Sequence, residues 1–286
     1  STIPSGNSVS VSSTGVLRIS SDQTLNNVTL STGGKLQVDA GVTLTITGTY
    51  NPATCFVQND GTIRLQGSAL QNFPGTNASV ISMNNLIINN AFGVNLNKSI
   101  NVTGVLTLTN GTFTVGANTL TINNPIAGTV ANLSANNSSS ITIAGTVAGV
   151  NIPASVSQLN NLTVSNSVVT ALQGNMKVFG TLFITATAGN VDADLYTLDG
   201  AGNLTMNGGN LILAKNGVVL PELTGAYNLT GGTVTFNGVG ITVSDAQTIR
   251  PVNYFNLAST DDGDRILSPV GTIGVANVFT PHTNVY

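Results

Sequence analysis

The amino-acid sequence predicts an all-β fold, a right-handed parallel β-helix (β-solenoid) built from degenerate repeats of about 76 residues. Three observations predict it: apolar residues paired at period two along the whole chain, a gap-free internal repeat, and a shortage of charge and of aromatic bulk.

The pairs give the strands in order. Leu86/Ile88, Ile100/Val102, Leu106/Leu108, Phe113/Val115 and Leu120/Ile122 each place two side chains on one face of a short strand. Intervals of about five to twelve residues between pairs leave room only for corners. No segment sustains apolar residues at i, i+3, i+4 and i+7, so crossover helices are not expected.

The repeat joins these strands into a larger unit. "NLIINNAFGVNLNKSINVTGVLTLT" from Asn85 lies over "NLTVSNSVVTALQGNMKVFGTLFIT" from Asn161 without a gap. Asn85/Asn161, Leu86/Leu162, Asn90/Asn166, Leu96/Leu172, Val102/Val178, Gly104/Gly180, Leu106/Leu182 and Thr109/Thr185 are identical. A looser copy opens at Asn256, with Leu257 and Leu267 in phase and Ile273, Val275 and Phe279 after a two-residue slip; a degenerate one opens at Asn27. The expected organisation is 1–84 as weakly repeat-like N-terminal coils, 85–160 as a first repeat, 161–255 as a second with an insertion, and 256–286 as a partial third. Each full repeat would hold three to four coils of about 20 residues.

Composition separates the solenoid from its alternative, tandem β-sandwich domains. Aromatics make up 5% of the chain and Trp is absent, whereas a sandwich usually packs bulky aromatics between its sheets. A solenoid stacks small Leu, Ile and Val on their equivalents one coil away, with Asn and Gly at the corners. Asn110-Gly111 therefore reads better as a corner than as a type I′ hairpin, though its residues suit both. Parallel crossovers favour the right hand.

Charged residues are 7% of the 286, against roughly 25% in an average soluble protein. Thr, Ser, Asn and Gly take their place. Eight Lys and Arg against eleven Asp and Glu make no basic field for phosphate, so nucleic acid is not an expected partner. No run of 18 apolar residues occurs, so membrane insertion is not expected, and the opening "STIPSGNSVSV" lacks the regions of a signal peptide. Cys55 stands alone and reads as a small buried hydrophobe.

The phrases "NNLTVSNS", "GTLFITA", "LTLTNGTFTVGANTLTI" and "YNLTGGTVTFNG" carry a resemblance. They resemble the low-charge β-strand-repeat segments of secreted Bacteroidota surface proteins, adhesin-like substrates of the type IX secretion system. That resemblance implies export, anchoring by a separate C-terminal sorting domain, and a part in adhesion, gliding or biofilm structure. The ending "FTPHTNVY" is not such a sorting domain.

Catalytic chemistry is sparsely provided. His282 is the only His and no Gly-x-Ser-x-Gly elbow occurs, so a Ser-His-Asp hydrolase is not expected. One Cys and one His do not make a zinc site. The acidic stretches "NVDADLYTLDG", with Asp192 and Asp194, and "STDDGDR", with Asp261, Asp262 and Asp264, read first as solvated turns. As weaker alternatives they are candidate Ca²⁺ ligands or a pair of glycosidic carboxylates. No other cofactor is expected. Thr-x-Thr pairs at 43/45, 107/109, 119/121 and 233/235 suggest a hydroxyl face of the ice-binding kind, but no single coil length aligns them.

The expected function is therefore non-enzymatic: an extracellular structural and adhesive repeat protein forming a rod or filament on the cell surface. Its expected partners are further copies of itself, head to tail, and a host, neighbour-cell or polysaccharide surface. The alternative is a carbohydrate-binding or polysaccharide-cleaving β-helix module, although Tyr50, Tyr196, Tyr227 and Tyr254 share no spacing that would set aromatics in a row.

Overall fold

The computed structural model describes residues 3–52, 56–75 and 81–282, so Cys55 lies outside the described residues. The chain is a β-solenoid of about 12 turns, 48% strand and 1% helix, with all sheets parallel. Tandem sandwiches, which need antiparallel pairs, are thereby set aside. The chain divides into two compact units, Ser1–Ser140 and Ile141–Tyr286, and the division falls inside the expected repeat 85–160.

In the first unit the strands Thr43–Ile46, Thr62–Leu65, Asn85–Asn89 and Leu106–Asn110 lie side by side. Register stacks Leu44, Ile63, Leu86 and Leu106 in a row, one from each coil. All four are fully buried. A parallel row, Leu25, Ile46, Leu65, Ile88 and Leu108, is equally enclosed. Burying each such side chain contributes about 1.5–3 kcal/mol, so the stacked rows supply most of each coil's stability.

The second unit repeats the arrangement. Leu162, Leu182 and Leu204 stack one per coil, all buried. The coil, not the longer repeat, is the structural unit. The two repeat copies agree because they trace the same corners: strands Asn85–Asn89, Val94–Leu96, Ile100–Val102 and Leu106–Asn110 match Asn161–Val164, Thr170–Ala171, Met176–Val178 and Thr181–Ile184. Asn110-Gly111 is a corner. The strand before it pairs in parallel with Asn85–Asn89 and Ala127–Gly128, while Phe113–Thr114 after it joins a different sheet beside Val94–Leu96. Gly111 has φ +75°, and a Cβ there would run into the Asn90 carbonyl oxygen.

The repeat identities that are polar also acquire a physical reason. Asn90 and Asn166 are buried corner amides. The Asn90 Nδ2 donates to Ala69 O at 2.8 Å and Gln71 Oε1 at 3.0 Å, and its Oδ1 accepts the Phe92 amide at 2.9 Å. A buried amide so satisfied costs little, and it dictates the path of the turn.

A second corner recurs across coils. Asn27, Asn85, Asn161 and Asn203 each accept, at Oδ1, the backbone N–H of a residue one coil later: Thr49, Val105, Thr181 and Ala226, at 2.8–2.9 Å. The residue before each of those amides is glycine, at 48, 104, 180 and 225. Three of these glycines donate their own N–H to the residue preceding the asparagine, Gly48 to Asn26, Gly104 to Asn84 and Gly180 to Asn160. Space, rather than positive φ, demands the glycine here. A Cβ on Gly180 would lie 2.5 Å from Asn161 Oδ1 and 2.6 Å from Asn160 Oδ1, and one on Gly104 would collide with the Oδ1 atoms of Asn84 and Asn85.

Gly104→Ala is expected to destabilise the protein by about 1–3 kcal/mol, and Asn85→Ala by a similar amount through the unpaired Val105 amide. Combined, the two should cost less than their sum, because removing the Asn85 side chain relieves one of the new methyl's collisions, that with Asn85 Oδ1, while the one with Asn84 remains. Urea unfolding of the four proteins measures this, and strict additivity would contradict the paired corner.

Candidate functional site

The outward faces of the coils are mostly amide and hydroxyl, and one region of the second unit departs from that pattern. The strands Gln158–Leu159, Met176–Val178 and Leu198–Asp199 form a three-stranded parallel sheet. Leu159, Met176, Val178 and Leu198 point inward and are buried. Alternation then turns Gln158, Lys177 and Asp199 outward, and register stacks them, Gln158 on Lys177 and Lys177 on Asp199. Lys177 Nζ meets Asp199 Oδ2 at 3.1 Å.

Two clefts open over this face. The larger, about 600 Å³, is lined by Ser157, Gln158, Asn175, Met176, Lys177, Thr197 and Asp199. The other, about 460 Å³, shares Lys177 and Asp199 and adds Gly200, Val218, Val219, Glu222, Thr224 and Arg250. In a chain with eight basic and eleven acidic residues, four charges lining adjoining clefts is a marked concentration. A fifth, Lys215, joins Glu222 Oε1 at 2.8 Å and donates to Thr197 Oγ1 at 2.8 Å.

Arg250 is held rigidly. Its Nε donates to Pro221 O at 2.6 Å, and its guanidinium carbon sits 5.8 Å from the centroid of the Tyr227 ring. The Tyr227 hydroxyl donates to the carbonyl oxygens of Pro221 and Leu223. Burial pushes the Tyr227 phenol up to about 12, against the opposing charge of Arg250. Burial raises Tyr254 further, and its hydroxyl donates to Arg250 O at 3.0 Å. Among the described residues no carboxylate pairs with Arg250. Asp199 and Glu222 each use one oxygen in an ion pair, while Asp199 Oδ1 and Glu222 Oε2 are buried without a donor among the described residues.

The acidic stretches singled out in the sequence are turns. Asp192 Oδ1 accepts the Asp194 amide at 2.8 Å, and Asp194 itself has φ +48°. Asp261 has φ +60°, and Asp262 Oδ1 lies 3.6 Å from His282 Nδ1. Around Asp264 the organising residue is Arg265. Its Nη atoms donate to the carbonyls of Phe236, Gly238, Thr260, Gly263 and Asp264, tying one coil's corner to the next. Among the described residues no three His, Cys, Asp or Glu side chains gather as a metal-holding group. The Thr-x-Thr pairs form no continuous hydroxyl face: Thr45 neighbours Arg64, Thr121 neighbours Asn101, and Thr235 neighbours Ala258.

Lys177, Asp199, Glu222 and Arg250 carry no local signature in the sequence. The one available signal is spacing: Lys177 and Asp199 are a single coil apart, so opposite charges stack. No family model, curated protein or solved structure matches this chain.

The two phenols raised by burial set the alkaline limit of the fold. A free tyrosine ionises near pH 10, so the unfolded chain loses these protons before the folded one does. Stability from Tyr227 is fully present below about pH 10 and is lost as pH rises toward 12. Urea midpoints measured across this range should fall above pH ~10, and less steeply in Tyr227→Phe. A midpoint independent of pH there would contradict the burial of these phenols.

Proposed function

We propose that this chain is an extracellular structural and adhesive repeat protein that forms a rod or filament on the cell surface by head-to-tail association of copies. The observation that carries the reading is how the inward rows end. Val234, Leu257 and Phe279 occupy one row with exposures of 2%, 3% and 56%. Leu220, Ile249 and Leu267 occupy another with 2%, 4% and 66%. Positions that are core in each earlier coil are open in the last described one, and among the described residues its strand Gly274–Thr280 pairs on one side only, with Asn253–Ser259.

An apolar row beside an unpaired parallel edge is completed by one more coil, supplied either by further coils of the same polypeptide or by a second copy. The first coil of a second copy, with the short strands Val9–Val11, Val16–Ile19 and Gln23–Leu25 and their inward Val11, Leu17, Ile19 and Leu25, offers apolar residues to continue those rows. The low-charge outward face, mostly Asn, Thr and Ser, suits an exterior setting, offering little purchase to salt. The adhesive and surface parts of the reading are supported by the repeat style and its resemblance to exported surface proteins, and it assigns the chain no catalysis.

Sedimentation of the purified chain over about a hundred-fold range of concentration tests the association. The expected result is growing oligomers for the unaltered protein and a monomer for Phe279→Asp, with unchanged circular dichroism. A monomer at every concentration would contradict the filament. Labelling of intact source cells with an antibody to the chain tests its surface location, and label appearing only after lysis would contradict that.

A further inference from the structure

We propose that the paired clefts of the second unit are a binding site for an anionic polysaccharide, a chain of hydroxyl-rich sugars bearing carboxylate or sulfate groups, with Arg250 and Lys177 as its anion-binding residues. The proposal gives the adhesive reading a target and rests on that reading for its setting, although the binding itself belongs to the clefts.

The charges are the first reason. Lys177 is paired with Asp199 and Lys215 with Glu222, so the two pairs cancel and Arg250 remains as the uncompensated charge on the cleft wall. A protein of net charge −3 thus presents a locally positive site. Arg250 is also pre-organised: Pro221 O holds Nε and the Tyr227 ring faces the guanidinium, while among the described residues no hydrogen bond to protein engages the two Nη groups. A guanidinium fixed in this way with both Nη groups available matches the two oxygens of a carboxylate or sulfate. Lys177, with a side chain 59% exposed, lines both clefts and is tied by a surface ion pair worth little, so it can turn to a second anionic group.

The rest of the lining decides the kind of anion. Ser157, Gln158, Asn175 and Thr197 in one cleft and Thr224 in the other offer amides and hydroxyls that both donate and accept, as a polyol requires. Acidic peptide adding itself as a strand at the sheet's centre is excluded, because the middle strand Met176–Val178 is already paired on both sides. Nucleic acid is disfavoured by the absence of an aromatic platform among the lining residues.

Calorimetric titration of the full chain with a galacturonate oligomer, its fully methyl-esterified form, the galacturonate monomer and oligoglutamate tests the site. The expected result is binding of the acid oligomer that weakens with salt, and binding about ten-fold or more weaker for the ester. Lys177→Gln and Arg250→Gln should each weaken it by about ten-fold, with thermal melts identifying any loss of fold in Arg250→Gln. Lys177→Gln lies on the surface and keeps the test decisive should the other variant unfold. Equal binding of acid and ester, no binding of the acid oligomer, or equal binding of oligoglutamate would each overturn the proposal. Equal binding of the monomer would reduce the site to a single-anion pocket and also overturn it. The sedimentation and labelling results are independent of these, so a failed titration leaves the filament and surface location to stand or fall separately.

Discussion

One recurring hydrogen bond sets four coils of this protein on the ones before them: an asparagine side-chain oxygen reaching across to a backbone N–H about a coil later. At Asn27, Asn85, Asn161 and Asn203 it is made at 2.8–2.9 Å, always beside a glycine that leaves room for the amide. Inward rows of Leu, Ile and Val supply energy but tolerate sliding, since one apolar side chain stacks on another almost indifferently. A parallel ladder that slips by one residue turns every side chain to the wrong face. The asparagine corner has one acceptor and one matching amide, so it selects the register that the hydrophobic rows then stabilise.

The clefts depend on that register. Gln158, Lys177 and Asp199 stack only because their strands are aligned residue for residue, and the Lys177–Asp199 pair is a product of coil spacing. Arg250 and Glu222 reach the same region from separate corner segments. On a face that is otherwise amide and hydroxyl, a single cation held by a carbonyl and an aromatic ring has an outsized electrostatic effect, because no neighbouring charge compensates it.

The fold was legible in the sequence because both of its signals are local or periodic. Period-two pairs such as Leu86/Ile88 mark strands, and the internal repeat exposed Asn85/Asn161 and Gly104/Gly180 as shared positions. The identities alone could not say why an asparagine and a glycine so far apart in sequence belong together; that needs the coil. The Asp stretches drew notice as clusters in the sequence, yet 192 and 194 make a local turn and 264 adjoins an arginine spent on backbone carbonyls. The charged clefts were illegible for the opposite reason. Their members lie between 157 and 250, scattered over several coils, and no short window contains them.

The most direct test of the account is amide hydrogen exchange, measured by NMR, at Thr49, Val105, Thr181 and Ala226. If asparagine side chains lock the coils, these corner amides are expected to exchange as slowly as the ladder amides of Leu86 and Leu204, which donate to the carbonyls of Val105 and Ala226, opening only with the surrounding coil. Exchange at the rate of free, solvated amides, with the ladder still protected, would contradict the claim that this hydrogen bond sets the register.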